Sequence, residues 1–209
     1  MDLTDVLNWR YAVKKYDPQR VPQAKLNQIL RAISLTASST GMQPYRVFVI
    51  NNEHVRQELA EDSFNAQITE ASHLVAFAAF TTITKEYIAS FIEFMAKERG
   101  LPEDAFEACK NSLEQHILAR TDEENYIWSS QQAYIALGTG LIAAAYAKVD
   151  ATPMEGFNSE KLDKLLNLRE KGLKSVLLLA LGYRDAEQDF LANQKKVRLP
   201  LSELVSEIN

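Results

Sequence analysis

The stretch NYIWSSQQAYIALGTGLIAAAYAKV, residues 125–149, constrains this chain most. Wound as a helix, it puts apolar and small side chains on nearly every side and keeps no broad polar face for water. A helix of that kind has to be packed on most sides, so the rest of the chain must supply layers around it. Three runs are candidates: RVFVIN (46–51), HLVAFAAFT (73–81) and SVLLLALGY (175–183). Each lacks the polar-apolar alternation of a half-solvated strand and reads as a strand covered on both faces.

Helical segments separate these strands. Asp2 or Thr4 caps a first helix that runs to about Trp9. Val21–Pro22 opens a second, in which Leu26, Ile29, Leu30 and Ile33 repeat at helical spacing. It gives way to TASSTGMQPY (36–45), a loop whose Ser, Thr, Gly and Pro read, on the bare residues, as a C-cap and turn. HVRQELAE (54–61) is a short helix, and SEKLDKLLNL (159–168) is another, with Ser159 as its expected cap. From Lys85 to about Arg120 the pattern is helical and amphipathic, broken at RGLPED by Gly100 and Pro102. Strands alternating with helices would suit a parallel doubly wound sheet, but the glycine fingerprints that cradle phosphate in such folds are absent. GTG at 138–140 lies inside a helical pattern, where small residues let a helix or a ring approach. The expectation is an α+β fold with an antiparallel or mixed sheet. The length suits one domain over 1–209 or a tightly merged pair, with a helical excursion at about 85–120.

Cys109 is the only cysteine, which excludes an internal disulfide framework and cysteine-based metal clusters. His54, His73 and His116 lie far apart and form no ligand pair, so no metal is expected. His73 reads as a structural hydrogen-bonding residue and Cys109 as inert packing. The apolar runs are far shorter than the ~20 residues of a membrane span, and the acidic N-terminus has no signal-like apolar region. A cytoplasmic protein without membrane or nucleic-acid partners is expected.

The formal net charge is -5, with 23 Lys+Arg against 28 Asp+Glu. Against that background the chain carries two compact cation clusters. Arg10 and Lys14, in NWRYAVKKYDP, share a face whether the segment is helical or extended. Lys196 and Arg198, in QKKVRLP, share a face in extended chain before Pro200. Without a glycine cradle, a phosphate monoester needs such side chains to neutralise it. The alternative on these residues alone is that both clusters are solvated.

Six segments carry a family resemblance: RYAVKKYD (10–17), SSTGMQPY (38–45), FNAQITEASHLVAF (64–77), TPMEGF (152–157), KGLKSVLLLALGYR (171–184) and KKVRLP (195–200). In order and spacing they resemble the FMN-dependent nitroreductase family, most closely its oxygen-insensitive NAD(P)H nitroreductase and dihydropteridine reductase branch. The resemblance covers nearly the whole chain. It implies a nitroreductase-like fold, with a central, mostly antiparallel sheet flanked by helices. It also implies an intertwined homodimer with C-terminal arm exchange and FMN at the subunit interface.

By the same resemblance, Arg10, Lys196 and Arg198 would hold the FMN phosphate. Tyr11, Ala12 and Lys14 would line the flavin, with Lys14 near the pyrimidine edge, where a cation favours the reduced ring. Asn65 and Gln67 would bond the polar rim of the ring. Pro153 and Met154 would contact the cofactor, and Glu155 and Gly156 would give backbone contacts near N5, with Lys14, Glu155 and Gly156 tuning it. Ser38, Ser39, Gly41 and Gln43 would reach the cofactor of the partner subunit. Thr40 and Phe106 would sit near nicotinamide or substrate; Phe91, Phe94, Phe106 and Tyr126 are candidates for stacking on a small aromatic acceptor, with core or dimer packing the plainer reading of most of them. No catalytic side chain is implied, because the flavin carries the hydride. The implied activity is ping-pong reduction of nitroaromatics, quinones or related acceptors by NAD(P)H; the alternatives are the same fold with a different flavin reaction (dihydropteridine or enone reduction, dehalogenation) or a non-enzymatic FMN-binding protein. Two departures stand out: Ala12 replaces a common Ser, and Gln67 replaces a Lys in a shorter loop.

Overall fold

The computed structural model describes residues 2–208. Five strands, β1 (Tyr16–Asp17), β2 (Tyr45–Ile50), β3 (His73–Phe80), β4 (Asp150–Met154) and β5 (Leu173–Arg184), form one sheet in which every pairing is antiparallel. The helices are α1 (Leu3–Trp9), α2 (Gln23–Ser34), α3 (Glu53–Ala60), α4 (Gln67–Glu70), α5 (Lys85–Arg99), α6 (Glu107–Ile117), α7 (Asp122–Tyr146), α8 (Ser159–Leu165) and α9 (Leu201–Leu204). The expected α+β class therefore holds.

The sheet order is β1-β5-β3-β2, with β4 also paired to β5. The register sets Val75 opposite Leu179 and Thr152 opposite Ala180. Because successive side chains alternate sides, the sheet feeds two cores. Val75, Phe77, Leu177, Leu179 and Ala151 pack with Leu26, Ile29 and Ile33 of α2 and Ala133, Ala136 and Ala144 of α7. Leu74, Ala76, Leu178, Ala180 and Met154 pack on the other face with Leu59, Ile68 and Leu162. This two-sided burial is why β3 and β5 lack a polar face in sequence. A third cluster, with Ile88, Ile92, Phe106, Leu113 and Ile117, holds the helical excursion together.

Local signals explain most boundaries. Thr121 and Glu124 close a capping box at the start of α7, and Gly100, left-handed at φ 63°, ends α5. Asp2 caps α1. The cap of α8 is Asn158, which accepts from the Lys161 amide at 3.0 Å, one residue before the expected Ser159.

Four features differ from the sequence expectation. Strands β1 and β4 were not legible; the helix read to residue 149 ends at Tyr146, and Lys148 at φ 54° turns the chain into β4. Strand β2 is only partly covered, because it lies at the sheet edge: Arg46 is exposed and Val47, Phe48 and Val49 are half-buried. Helix α7 is packed along one side alone within the chain, while Ile127, Tyr134, Ile135 and Tyr146 are exposed on the other. Cys109 is exposed on α6 rather than packed.

Gly182, near the end of β5, sits against Tyr16: an added Cβ would lie 2.5 Å from the Tyr16 ring. That ring cannot swing away freely, since its buried hydroxyl donates to Thr152 Oγ1 at 3.1 Å and to the Ala180 carbonyl at 3.0 Å. Gly182→Ala is therefore expected to destabilise the fold by about 1–3 kcal/mol, as overpacking does. Thermal melts at matched protein concentration should show a clear drop in Tm; an unchanged Tm would mean that this contact is soft.

Candidate functional site

Helix α1 ends at Trp9, and Arg10 leaves it in an extended conformation (φ −76°, ψ 142°). The strand-like run from Arg10 to Lys15 then passes the ends of β4 and β5 before β1 pairs with Tyr183 and Arg184. After β5 the chain doubles back past the same place. The two cation clusters consequently meet. Arg10, Tyr11, Ala12, Pro153, Lys196 and Arg198 line a single cleft of about 480 Å³, together with Trp9 and Arg184.

The electrostatics of this cleft are unbalanced. Arg184 is neutralised by Asp150, with Nε donating to Oδ1 at 3.0 Å, and it stacks on the rings of Trp9 and Tyr11, each 4.5 Å from its guanidinium carbon. Arg10, Lys196 and Arg198 form no ion pair with a carboxylate among the described residues. Burial, and then the charge of Arg198, push the Arg10 guanidinium below its ordinary pKa. Burial, and then Arg10, Arg198 and Arg184, do the same to Lys196. Lys196 Nζ donates to the carbonyls of Leu7 and Arg10, which fixes the C-terminal arm on the end of α1. Arg10 Nε is buried without a partner. A buried N–H left unpaired beside two further cations suits an anionic ligand.

Asp189 organises the cleft and was not anticipated. It is 4% exposed. Its Oδ2 accepts from the Lys14 amide at 2.7 Å, the Tyr11 hydroxyl at 3.1 Å and the Lys15 amide at 3.4 Å, while Oδ1 accepts from the Leu191 amide at 2.9 Å. Burial alone would raise its pKa, but the amides of Lys14, Leu191 and Lys15 and the Tyr11 hydroxyl outweigh burial and hold it below the usual carboxylate range. Tyr11 is pushed up to about 12, first by burial and then by Asp189. One carboxylate thus ties the run after α1 to the root of the arm.

A second group of predicted residues lies along the neighbouring chain. Gln67, 5% exposed, donates from Nε2 to the Lys14 carbonyl at 2.8 Å, and its Oε1 is buried without a partner. The Gly156 carbonyl accepts from Asn65 Nδ2 at 2.7 Å and from Ser63 Oγ at 2.6 Å. A Cβ at Gly156 would fall 2.8 Å from Asn65 Nδ2, so a larger residue would break that contact. Glu155 accepts from the Tyr134 hydroxyl at 2.6 Å, and Tyr134 is pushed up to about 12 by burial and then by that bond. Met154, just after Pro153, is buried in the second core.

The Ser-rich loop stands apart. Thr40 (φ 56°), Gly41 (φ 74°) and Gln43 (φ 45°) adopt left-handed backbone, which glycine takes freely but which strains Thr40 and Gln43. Ser38 Oγ accepts from the Gln43 amide at 3.0 Å, and Gln132 Oε1 of α7 accepts from the Ser39 amide at 2.7 Å. Gly41 and Gln43 line a different cleft, which shares no lining residue with the first. Within one chain the structure does not bring Ser38, Ser39, Thr40, Gly41 and Gln43 to the Arg10 cleft. Phe106 is also away from either cleft: it is 9% exposed in the core of the helical excursion, with Arg99 5.5 Å from its ring centre. Packing of α5 against α6 accounts for it. Phe91 and Phe94 line the second cleft, while Tyr126 bonds the Ser175 carbonyl at 3.3 Å. His73 has the structural role expected, its Nδ1 2.9 Å from Ser72 Oγ.

Known proteins resemble this chain over most of its length. The family model described as the nitroreductase family matches residues 7–183. The major NAD(P)H-flavin oxidoreductase of Aliivibrio fischeri is 30% identical over 207 residues, covering 94% of each chain. The oxygen-insensitive NAD(P)H nitroreductase of Salmonella typhimurium is 27% identical over 220 residues, covering 100% of each. A crystal structure in complex with FMN from Exiguobacterium sibiricum superposes with a TM-score of 0.84 at 20% identity, covering 100% of this chain and 98% of that one. With both cation clusters gathered at one cleft and a family match over most of its length, this chain belongs to the nitroreductase family.

Proposed function

We propose that this protein is an NAD(P)H-dependent FMN oxidoreductase that reduces nitroaromatic, quinone or related acceptors. The observation that carries the reading is the cleft where both ends of the chain meet. The residues present fit FMN: three cations without a carboxylate suit a phosphate, and the orphaned Arg10 Nε needs an acceptor. The orphaned Gln67 Oε1 needs a donor, which a ring N–H provides. FMN held in this cleft would supply the hydride-transfer chemistry between NAD(P)H and the acceptor.

The chain's own residues do the rest. Arg10, Lys196 and Arg198 grip the phosphate, and Tyr11, Ala12 and Pro153 wall the cleft. Lys14 supplies positive charge at the ring, while Asn65 and Gln67 fix its polar rim. Gly156, lacking a Cβ, keeps the main chain close, with Glu155 steadied by Tyr134.

A second copy of the chain completes the site in this reading, with the whole chain 1–209 acting as one domain. Three features support it. The outer face of α7 is apolar and exposed at Ile127, Tyr134, Ile135 and Tyr146. The arm after β5 exposes Phe190, Val197, Leu199, Leu201, Leu204 and Ile208. An apolar groove of about 330 Å³, lined by Leu30, Ile33, Val47 and Val49, runs beside the free edge of β2. Solvated, these surfaces are costly; a partner's arm and helix would bury them and bring its Ser38–Gln43 loop to this cleft.

The purified protein is expected to be yellow, to bleach when NADH or NADPH is added under nitrogen, and to recolour with a nitroaromatic or a quinone. Parallel double-reciprocal lines are expected in steady state; a yellow protein that never bleaches would overturn the assignment. Arg198→Ala should weaken FMN binding about tenfold to a hundredfold, the loss expected for a charge-assisted hydrogen bond. Equal FMN affinity in the variant would remove Arg198 from the phosphate grip. Asp189→Asn should loosen FMN about tenfold, since one amide cannot serve donors on both oxygens as the carboxylate does. Equilibrium dialysis of FMN alongside circular dichroism separates this loss from unfolding, and full retention of affinity would make Asp189 a purely structural contact.

A further inference from the structure

The second cleft, of about 280 Å³, lies against the Ser38–Gln43 loop. Tyr87, Phe91 and Phe94 from α5 give it an aromatic wall, with Gly41 and Gln43 opposite. That wall is bolted to the loop: the Tyr87 hydroxyl donates to the Met42 carbonyl at 2.8 Å, and the tip of the Phe91 ring lies 3.9 Å from where a Gly41 Cβ would stand. Tyr87 in turn stacks on Phe80 with ring centres 4.9 Å apart. The cleft is therefore a built feature of the loop.

Arg46 is the only cation lining it. Its guanidinium is held in place: Nη1 donates to the carbonyls of Tyr45 at 2.8 Å and Gln43 at 3.4 Å, and the group lies 4.7 Å over the Phe80 ring. No carboxylate pairs with it among the described residues. That leaves an oriented guanidinium with donors to spare at the mouth of an aromatic cleft. The complementary ligand is a flat ring bearing a carboxylate, with the ring stacked on phenyl faces and the anion received by the guanidinium.

We propose that this cleft admits the oxidising substrate, that the preferred acceptors are aromatic compounds carrying an anionic group, and that Arg46 determines this preference. The inference rests on the oxidoreductase reading above, because only there does the Ser38–Gln43 loop of one copy face the cofactor of the other. The net charge of -5 works against anionic ligands at long range, so a local, fixed cation is what a selective site for them requires.

The test compares 4-nitrobenzoate with 4-nitrobenzyl alcohol, matched rings that differ in charge. Titration calorimetry of the FMN-loaded protein without NAD(P)H reads binding, and steady-state kinetics read KM. The wild type should favour 4-nitrobenzoate in both. Arg46→Ala should cut that preference about tenfold, the scale of one charge-assisted contact at a half-open site, with the change in KM rather than kcat. Arg46→Lys, which keeps the charge, should retain most of it and serves if the alanine variant folds poorly. A preference identical in wild type and Arg46→Ala overturns the proposal, as does a wild type that prefers the alcohol. Calorimetric discrimination without turnover of either probe would instead refute the oxidoreductase reading and leave Arg46 as an anion-selective binding residue.

Discussion

Like charges forced together need a reason to stay together. Arg10, Lys196 and Arg198 come from opposite ends of the chain and repel one another, and Arg10 and Lys196 also lose water on folding. The fold tolerates this because other bonds fix their positions. Lys196 caps the carbonyls at the end of α1, Asp150 neutralises Arg184, and Asp189 anchors both the run after α1 and the root of the arm. The cations are thereby preorganised for an anion that is absent from the protein's own side chains. Binding that anion relieves the repulsion and so should stabilise the fold by mass action. In the proposed reading, cofactor retention and the placement of the arm become one property.

The sheet makes this convergence possible. Strand β5 is the hub, pairing with β1, β3 and β4, so the entry of the chain, its middle and its exit are fixed against a single strand. Two tight contacts lock the geometry near the cleft. Tyr16 fills the space left by Gly182 and bonds Thr152, and Thr152 Oγ1 reaches back to the Val13 carbonyl at 2.9 Å. The residues between Arg10 and Tyr16 are held on both sides, by buried tyrosine packing and by the Asp189 carboxylate. A cofactor ring lying along such a run meets a rigid wall.

Much of this was legible in the residues. The apolar runs around β3 and β5, the helices with clear caps, and the paired cations near each terminus all reflect local patterns that survive in the fold. What was illegible has a common physical cause: it depends on tertiary partners. Strand β1 is two residues long and exists only because β5 extends to Arg184. Asp189 looks like any loop aspartate until three donors from the distant Tyr11–Lys15 run join the nearby Leu191 amide around it. Phe106 has the aromatic character of a substrate contact, yet the packing of α5 on α6 takes it into a core. The Ser38–Gln43 loop shows the reverse: its composition suggested a plain turn, while its left-handed backbone at Thr40 and Gln43 indicates a surface shaped for contact.

One helix links the site to assembly. Along α7, Ala133, Ala136 and Ala144 face the sheet, Gln132 holds the Ser-rich loop, and Tyr134 on the outer side holds Glu155. In the proposed dimer the outer side of this helix faces a second copy, and the segments that it holds, the Ser-rich loop and Glu155, then answer to the same interface. The most direct measurement is the affinity of the cofactor-free protein for FMN against riboflavin, which differ only in the phosphate. If the joined chain ends exist to grip that phosphate, FMN should bind at least a hundredfold more tightly, the scale of two charge-assisted hydrogen bonds at about 1.5 kcal/mol each. Equal affinities would contradict the phosphate site and the function built on it.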